Sequence, residues 1–218
     1  MKTQAVILDL DGLMVDSEPV HQRAFEALLA RHGIDPRFTE EEYGRYFVGI
    51  PVVENAEWLI ENFDLKSSAG ELVAEQEAIY EALIEDPANL IPMPDLFTLL
   101  DELRVRGWPL GVASSSPRRQ VNAILCGLGI AGRFRSVVAG DDVPRTKPAP
   151  DVYARAANEL GVAQRDCVAV EDSATGITSA QAAGLRVIVV RNRYTVHQDL
   201  SRADVRVGSL GQVIDLLD

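Results

Sequence analysis

The sequence predicts an α/β protein, a Rossmann-like parallel sheet core with a four-helix cap inserted after its first strand. Three observations carry that prediction. Short, wholly apolar strands alternate with amphipathic helices from residue 91 onward, residues 16–90 read as helix throughout, and the apolar strands run into polar residues capable of chemistry. Apolar runs without polar alternation are the mark of strands buried on both faces, which is the condition of a parallel sheet.

The first strand is Val6-Ile7-Leu8 in "AVILDLDGLMVDSEP", bounded by Asp9 and Gly12. Asp9 and Asp11 lie two apart on an extended chain and so share one side. Two close carboxylates repel unless a cation or a proton sits between them. A turn at Asp11-Gly12 that merely ends the strand is the alternative from these residues alone.

The helical segment follows. Ser17 is placed as an N-cap with Pro19 early and Gly33 as the stop, and Thr39 with Glu42 forms a capping box. A third helix spans Val52 to Phe63, and a fourth runs from about Ser68 through Leu72, Ile79 and Leu83 to Asp86-Pro87. The alternating part then gives a helix from Asp95 to Arg106 stopped by Gly107, strand Leu110 to Ala113, and a helix opening at Ser116-Pro117. Strand Val137 to Ala139, helix Pro150 to Leu160, strand Val168 to Val170, helix Ser173 to Ala183 and strand Val187 to Val190 complete it. Residues 1–15 with 91–218 are thus expected to form the core domain, and 16–90 the cap.

Composition narrows the function classes. At 218 residues, 47% hydrophobic and 25% charged, the chain can bury a full core. Its net charge of −12 is concentrated, because residues 16–90 hold 17 acidic and five basic residues while the remainder balances. An acidic lobe repels phosphate backbones and anionic lipid surfaces, which argues against nucleic-acid and membrane partners. The N-terminal apolar stretch is too short for a signal peptide and no run approaches the roughly 18 residues of a membrane span, so a cytoplasmic location is expected. Cys126 and Cys167 have no ligand spacing and are expected as buried free thiols.

The other strand ends carry complementary groups. Strand two ends at Ser114, the loop after strand three holds Lys147 in "RTKPAPD", and strand four runs into Glu171-Asp172. In open α/β sheets the ligand site lies at the carboxyl ends of the strands, so these residues can converge on one crevice with Asp9 and Asp11. Carboxylates suit a hard cation, while a hydroxyl and an ammonium suit phosphoryl oxygens. Singly, each has a plain structural role: Ser114 opening a helix, Lys147 a loop charge, Asp172 a cap.

Four segments in order, "DLDGLMVDSE", "VASSS", "TKPAPDVY" and "VEDSATGI", resemble the haloacid dehalogenase-like hydrolases, in the phosphatase and β-phosphoglucomutase-like branch with a helical cap after the first strand. The resemblance implies a phosphatase of small phosphomonoesters acting through an aspartyl phosphate. By it Asp9 is the nucleophile and Asp11 the general acid and then base. Mg²⁺ is held by Asp9, the Asp11 main-chain carbonyl and Asp172, with Glu171 in or just outside the coordination sphere. Ser114, Ser115 and Lys147 bind the transferring phosphoryl group. An acid at Asp11 argues for phosphoester rather than carbon–halogen cleavage, since only an alkoxide needs the proton.

The cap departs from the mutase pattern. The loop "VGIPVVEN" has no base after Gly49, and the late helix offers Glu75, Gln76 and Glu77 where a mutase would want lysine. His21 matches a histidine common to mutases and phosphatases and, with Gly49, is expected to contact substrate. A sugar phosphomutase is the alternative. A phosphoaccepting receiver fits less well, because it needs no cap and carries its acceptor on a later strand. The expected partner is a small phosphorylated metabolite, with sugar or polyol monophosphates favoured over more anionic ones, and the chain is expected to be a monomer.

Overall fold

An apolar tetrapeptide without a polar interruption is best placed in the middle of a sheet, and β1 (Ala5–Leu8) lies there, every residue buried. It pairs in parallel with β2 (Leu110–Ala113) on one side and β4 (Cys167–Glu171) on the other. β3 (Ser136–Val138) flanks β2, while β5 (Arg186–Val190) and β6 (Val205–Val207) extend the other edge, giving the order β3-β2-β1-β4-β5-β6. The strand order reverses between β1 and β4, and ligands of open α/β sheets bind at such a switch point. The computed structural model describes residues 3–35, 38–48 and 50–217.

Contacts divide the chain into two compact units, Met1–Asp16 with Leu90–Asp218, and Ser17–Asn89. In the first, α5 (Leu96–Val105), α6 (Arg118–Gly127), α7 (Asp151–Leu160) and α8 (Ala174–Ala182) alternate with the strands. α7 shows why: Val152, Tyr153, Ala156, Ala157 and Leu160 recur at helical spacing and are all buried in the core that includes Ile7, Ala113 and Val138. The segments that leave and re-enter this unit are hydrogen-bonded to each other, Asp16 N–H to Ile91 O at 2.8 Å and Met93 N–H to Met14 O at 3.0 Å.

The second unit is four helices, α1 (Glu18–Arg31), α2 (Glu40–Tyr46), α3 (Val52–Phe63) and α4 (Ala69–Ile84). Its core is aromatic: Phe47 meets Phe25, Phe38, Tyr43 and Trp58 at ring separations of 4.8–5.5 Å. Thr39 with Glu42 forms the expected capping box, and Ser68 with Glu71 forms a second.

Three readings of the sequence need correction. Ser17 occupies the N-cap position of α1 but keeps helical dihedrals and makes no side-chain cap, so only its carbonyl serves the first turn. Cys126 is exposed, because α6 turns Val121, Ile124 and Leu125 inward and leaves position 126 outside; Cys167 is buried as expected. β6 was not anticipated: three edge residues with Arg206 exposed at the centre are too few to show a period. Among the described residues, no helix is long and apolar enough to cross a membrane.

Candidate active site

The carboxyl ends of β1, β2 and β4 present the polar groups, and the sheet ladder continues far enough to hold them. Asp9 N–H still bonds Val170 O and Ser114 N–H bonds Val138 O, both at 3.0 Å, so each side chain stands one residue past its strand on rigid backbone. Asp9, Glu171 and Asp172 are all buried, with one carboxylate oxygen of each lying within 4.8 Å of the others.

Lys147 ties this cluster together. Its ammonium is 2.5 Å from Asp9 Oδ1 and 2.5 Å from Glu171 Oε1, with its side chain only 6% exposed. Its nitrogen also stands 5.0 Å from the centre of the Tyr153 ring, a cation–π contact. Glu171 is surrounded by donors: Lys147 and the Tyr153 hydroxyl reach Oε1, while the amides of Asp172 and Ser173 and the Ser173 hydroxyl reach Oε2. That reception, led by the Lys147 charge, holds its carboxyl below the usual range despite burial. Such saturation suits Glu171 to orienting Lys147 more than to ligating an ion itself.

The remaining acids are less well served. Burial first, then repulsion from Glu171, pushes Asp9 up to about 7 even with Lys147 beside it. Burial and repulsion from Asp9 and Glu171 push Asp172 well above the ordinary range. Three carboxylates against one ammonium leave two negative charges in excess when all are ionised, and a divalent cation would neutralise them. Asp9 and Asp172, hard oxygen donors with unrelieved charge, fit a metal ion held at this position.

Two glycines keep the cluster close. Gly12 has φ +75, in the left-handed region, and a Cβ there would collide with Asp172 Oδ2; a Cβ on Gly176 would collide with the Glu171 carboxylate. The Asn192 side-chain amide bonds Asp172 Oδ2 at 2.8 Å and Gly12 O at 3.0 Å, joining the loop after β5 to both.

Asp11 stands apart from the ammonium. Its Oδ2 accepts from the Ser116 hydroxyl at 2.7 Å, and its Oδ1 is buried without a hydrogen-bond partner. Ser114 is fully buried and its hydroxyl accepts from the Ser116 amide at 3.0 Å, while Ser115 is exposed. The structure therefore gathers Asp9, Lys147, Glu171 and Asp172 in direct contact range, and links Asp11 to Ser114 through Ser116.

His21 belongs to the helical unit, stacked on Tyr80 at 3.9 Å with Gln76 3.5 Å from its Nδ1. Gly49 lies outside the described residues. Sequence reasoning passed over Ser116, Tyr153 and Asn192. Tyr153 closes the "TKPAPDVY" segment and Asn192 follows the end of β5, so the rule that singled out the other strand ends also pointed to Asn192.

Comparison with known proteins agrees with this geometry. Protein CbbY of Rhodobacter capsulatus is 33% identical over 215 residues, covering 96% of this chain and 95% of CbbY. The fructose-1-phosphate phosphatase YqaB of Escherichia coli is 30% identical over 190 residues, covering 85% and 95%. A solved structure of a CbbY mutant from Rhodobacter sphaeroides in complex with xylulose-1,5-bisphosphate superposes with a TM-score of 0.80 at 28% identity, covering 96% of each chain. The family of haloacid dehalogenase-like hydrolases matches residues 3–184, and the chain, with its parallel sheet and its acidic cluster at the switch point, belongs to that family.

Proposed function

We propose that this hydrolase is a Mg²⁺-dependent phosphatase of small phosphomonoesters that works through a phosphoryl group carried on Asp9. The observation that carries the reading is the bridge of Lys147 between Asp9 and Glu171 beside Asp172: a carboxylate held at the switch point with a fixed cation next to its attacking oxygen. Asp9 attacks phosphorus in line with the leaving oxygen, which takes a proton from Asp11 as the ester P–O bond breaks. Water then attacks the aspartyl phosphate, giving its proton to Asp11 as the bond to Asp9 breaks and phosphate leaves. Lys147 and the Ser114 hydroxyl meet the phosphoryl oxygens, and Glu171 with Tyr153 keeps Lys147 in place. Mg²⁺, held by Asp9 and Asp172 together with the Asp11 carbonyl, would supply charge neutralisation at the transferring group.

The fructose-1-phosphate activity named for YqaB supports sugar or polyol monophosphates as substrates. A second reading, a doubly phosphorylated sugar, is favoured by the bisphosphate bound in the CbbY complex. The same proposal makes the protein a cytoplasmic monomer, acting on free metabolites and not on nucleic acid or membrane. Steady release of inorganic phosphate from p-nitrophenyl phosphate in Mg²⁺, abolished by EDTA, tests the chemistry and separates it from a receiver module. A panel of sugar phosphates with and without a second phosphate decides the substrate, and conversion to an isomer on addition of a sugar bisphosphate would instead identify a mutase.

A further inference from the structure

The geometry points to Ser116 as the positioning residue for the proton-transferring carboxylate of Asp11, an inference that rests on the phosphatase reading and extends it. Ser116 Oγ donates to Asp11 Oδ2 at 2.7 Å across a separation of 105 residues. The backbone leaves this hydroxyl little freedom. Its amide donates to Ser114 Oγ at 3.0 Å, its carbonyl accepts from Gly140 N–H at 2.8 Å, and Pro117 follows. Gly140 permits that lock, because a Cβ there would collide with the Ser115 carbonyl. The end of β2 and the loop after β3 are therefore clamped together, and the clamp aims one hydroxyl at the acid.

The two oxygens of Asp11 are thereby made unequal. Oδ2 is committed to Ser116, whereas Oδ1 is buried and without a hydrogen-bond partner, so Oδ1 is the oxygen left to exchange a proton. In the first half-reaction the Oδ1–H bond breaks and the proton passes to the leaving oxygen, which keeps the electron pair of the broken P–O bond. The negative charge that remains on the carboxylate is shared with Oδ2, where the Ser116 hydrogen bond strengthens. A sugar or polyol alkoxide depends on that proton, and p-nitrophenolate, a stable anion, does not.

Leaving-group dependence is therefore the readout that separates positioning of the acid from general damage. Wild type, Ser116→Ala and Ser116→Thr are compared for kcat and KM on p-nitrophenyl phosphate and on the best substrate from a panel of sugar and polyol phosphates, all in Mg²⁺. Ser116→Ala should lower kcat on the sugar or polyol phosphate by about 10- to 100-fold, the value of a hydrogen bond to a charged group. The single-turnover rate of phosphoryl transfer from p-nitrophenyl phosphate to Asp9, the step that needs no proton from Asp11, and both KM values should stay within about threefold. Ser116→Thr keeps the hydroxyl and should recover most of the lost rate, which also excludes misfolding as the cause. Equal losses in the single-turnover phosphoryl transfer from both substrates, or a loss carried by KM, would overturn the inference and make Ser116 a substrate contact or a structural residue. A wild type that releases phosphate from neither kind of substrate fails the phosphatase reading itself, a result visible before any variant is made.

Discussion

Carboxylates crowd both units of this chain under opposite conditions. In the helical unit Glu42 and Glu71 are fully exposed and fold back on their own N-caps, where hydrogen bonds from Thr39 and Ser68 lower their affinity for protons. Glu75 meets Arg31 at 3.3 Å and His32 at 3.1 Å on a partly exposed helix face. In the sheet unit Asp9, Glu171 and Asp172 are buried around one lysine, and two of the three are pushed toward neutrality. The segment with the most negative charge thus holds its two capping carboxylates exposed and lowered, and the balanced remainder holds the buried ones pushed the other way. Charge count locates solubility; burial and mutual distance locate chemistry.

The largest test of that contrast is Asp9→Asn against Glu57→Gln on the exposed face of α3. Asparagine cannot form the acyl phosphate, so phosphate release should fall by at least about 10⁴, while the α3 variant should stay within about twofold. Asp11→Asn should lose turnover on alkyl phosphates to a similar extent, yet still transfer the phosphoryl group of p-nitrophenyl phosphate to Asp9 in a single-turnover assay.

Lys147→Ala comes next. Removing the ammonium that bridges Asp9 and Glu171 should lower kcat on the order of 10²–10³-fold. It should also cost about 3–5 kcal/mol of stability, because buried carboxylates lose their partner. Chemical denaturation measures the second effect separately, and a variant as stable as wild type would show that the cluster takes up protons instead.

Asn192→Ala probes Asp172, the proposed metal ligand, without touching Asp9, the proposed nucleophile. With the hydrogen bonds to Asp172 and Gly12 gone, Mg²⁺ affinity measured by calorimetric titration should fall about 10–100-fold. An unchanged dissociation constant would reduce Asn192 to a loop anchor.

The pH dependence sharpens the comparison further. Asp9 titrates in the folded protein at about 7 against an ordinary value of 3.8, so its contribution to stability is fully present below about pH 4 and is lost as pH rises through about 7. In EDTA, Asp9→Asn should therefore melt above wild type at pH 8, and the gap should close toward pH 4. The same linkage makes the thermal shift produced by Mg²⁺ grow with pH, since the ion competes with protons for these carboxylates.

The smallest effect belongs to the helical unit. Thr39→Ala removes one half of a capping box and should lower the melting temperature by about 2–4 °C with kcat unchanged. A large loss of activity there would mean that α2 does more than pack.

The strands were legible because parallel strands buried on both faces must be apolar along their whole length, and Val6-Ile7-Leu8 or Val168-Ala169-Val170 admits few other readings. Val205–Val207 was not, because a three-residue edge strand with an exposed arginine gains little from its own pattern and depends on pairing with β5. The helical unit was readable down to the Thr39–Glu42 box, a local signal. Ser17 misled for the same reason, since residue type alone does not decide whether its side chain turns to the helix.

For the site, residue type and strand-end position singled out Asp9, Asp11, Ser114, Lys147, Glu171 and Asp172, because chemistry at a sheet's carboxyl edge needs polar groups where apolar strands stop. Their contacts with one another exist only in three dimensions. Lys147 reaches Asp9 across a separation of 138 residues, Ser116 reaches Asp11 across 105, and Asn192 reaches Gly12 across 180. Periodicity and capping act within a few residues and can be read along the chain. A proton affinity moved by burial, or a hydroxyl aimed by a clamp at Gly140, depends on atoms brought together by the assembled sheet, and only the tertiary structure supplies those neighbours.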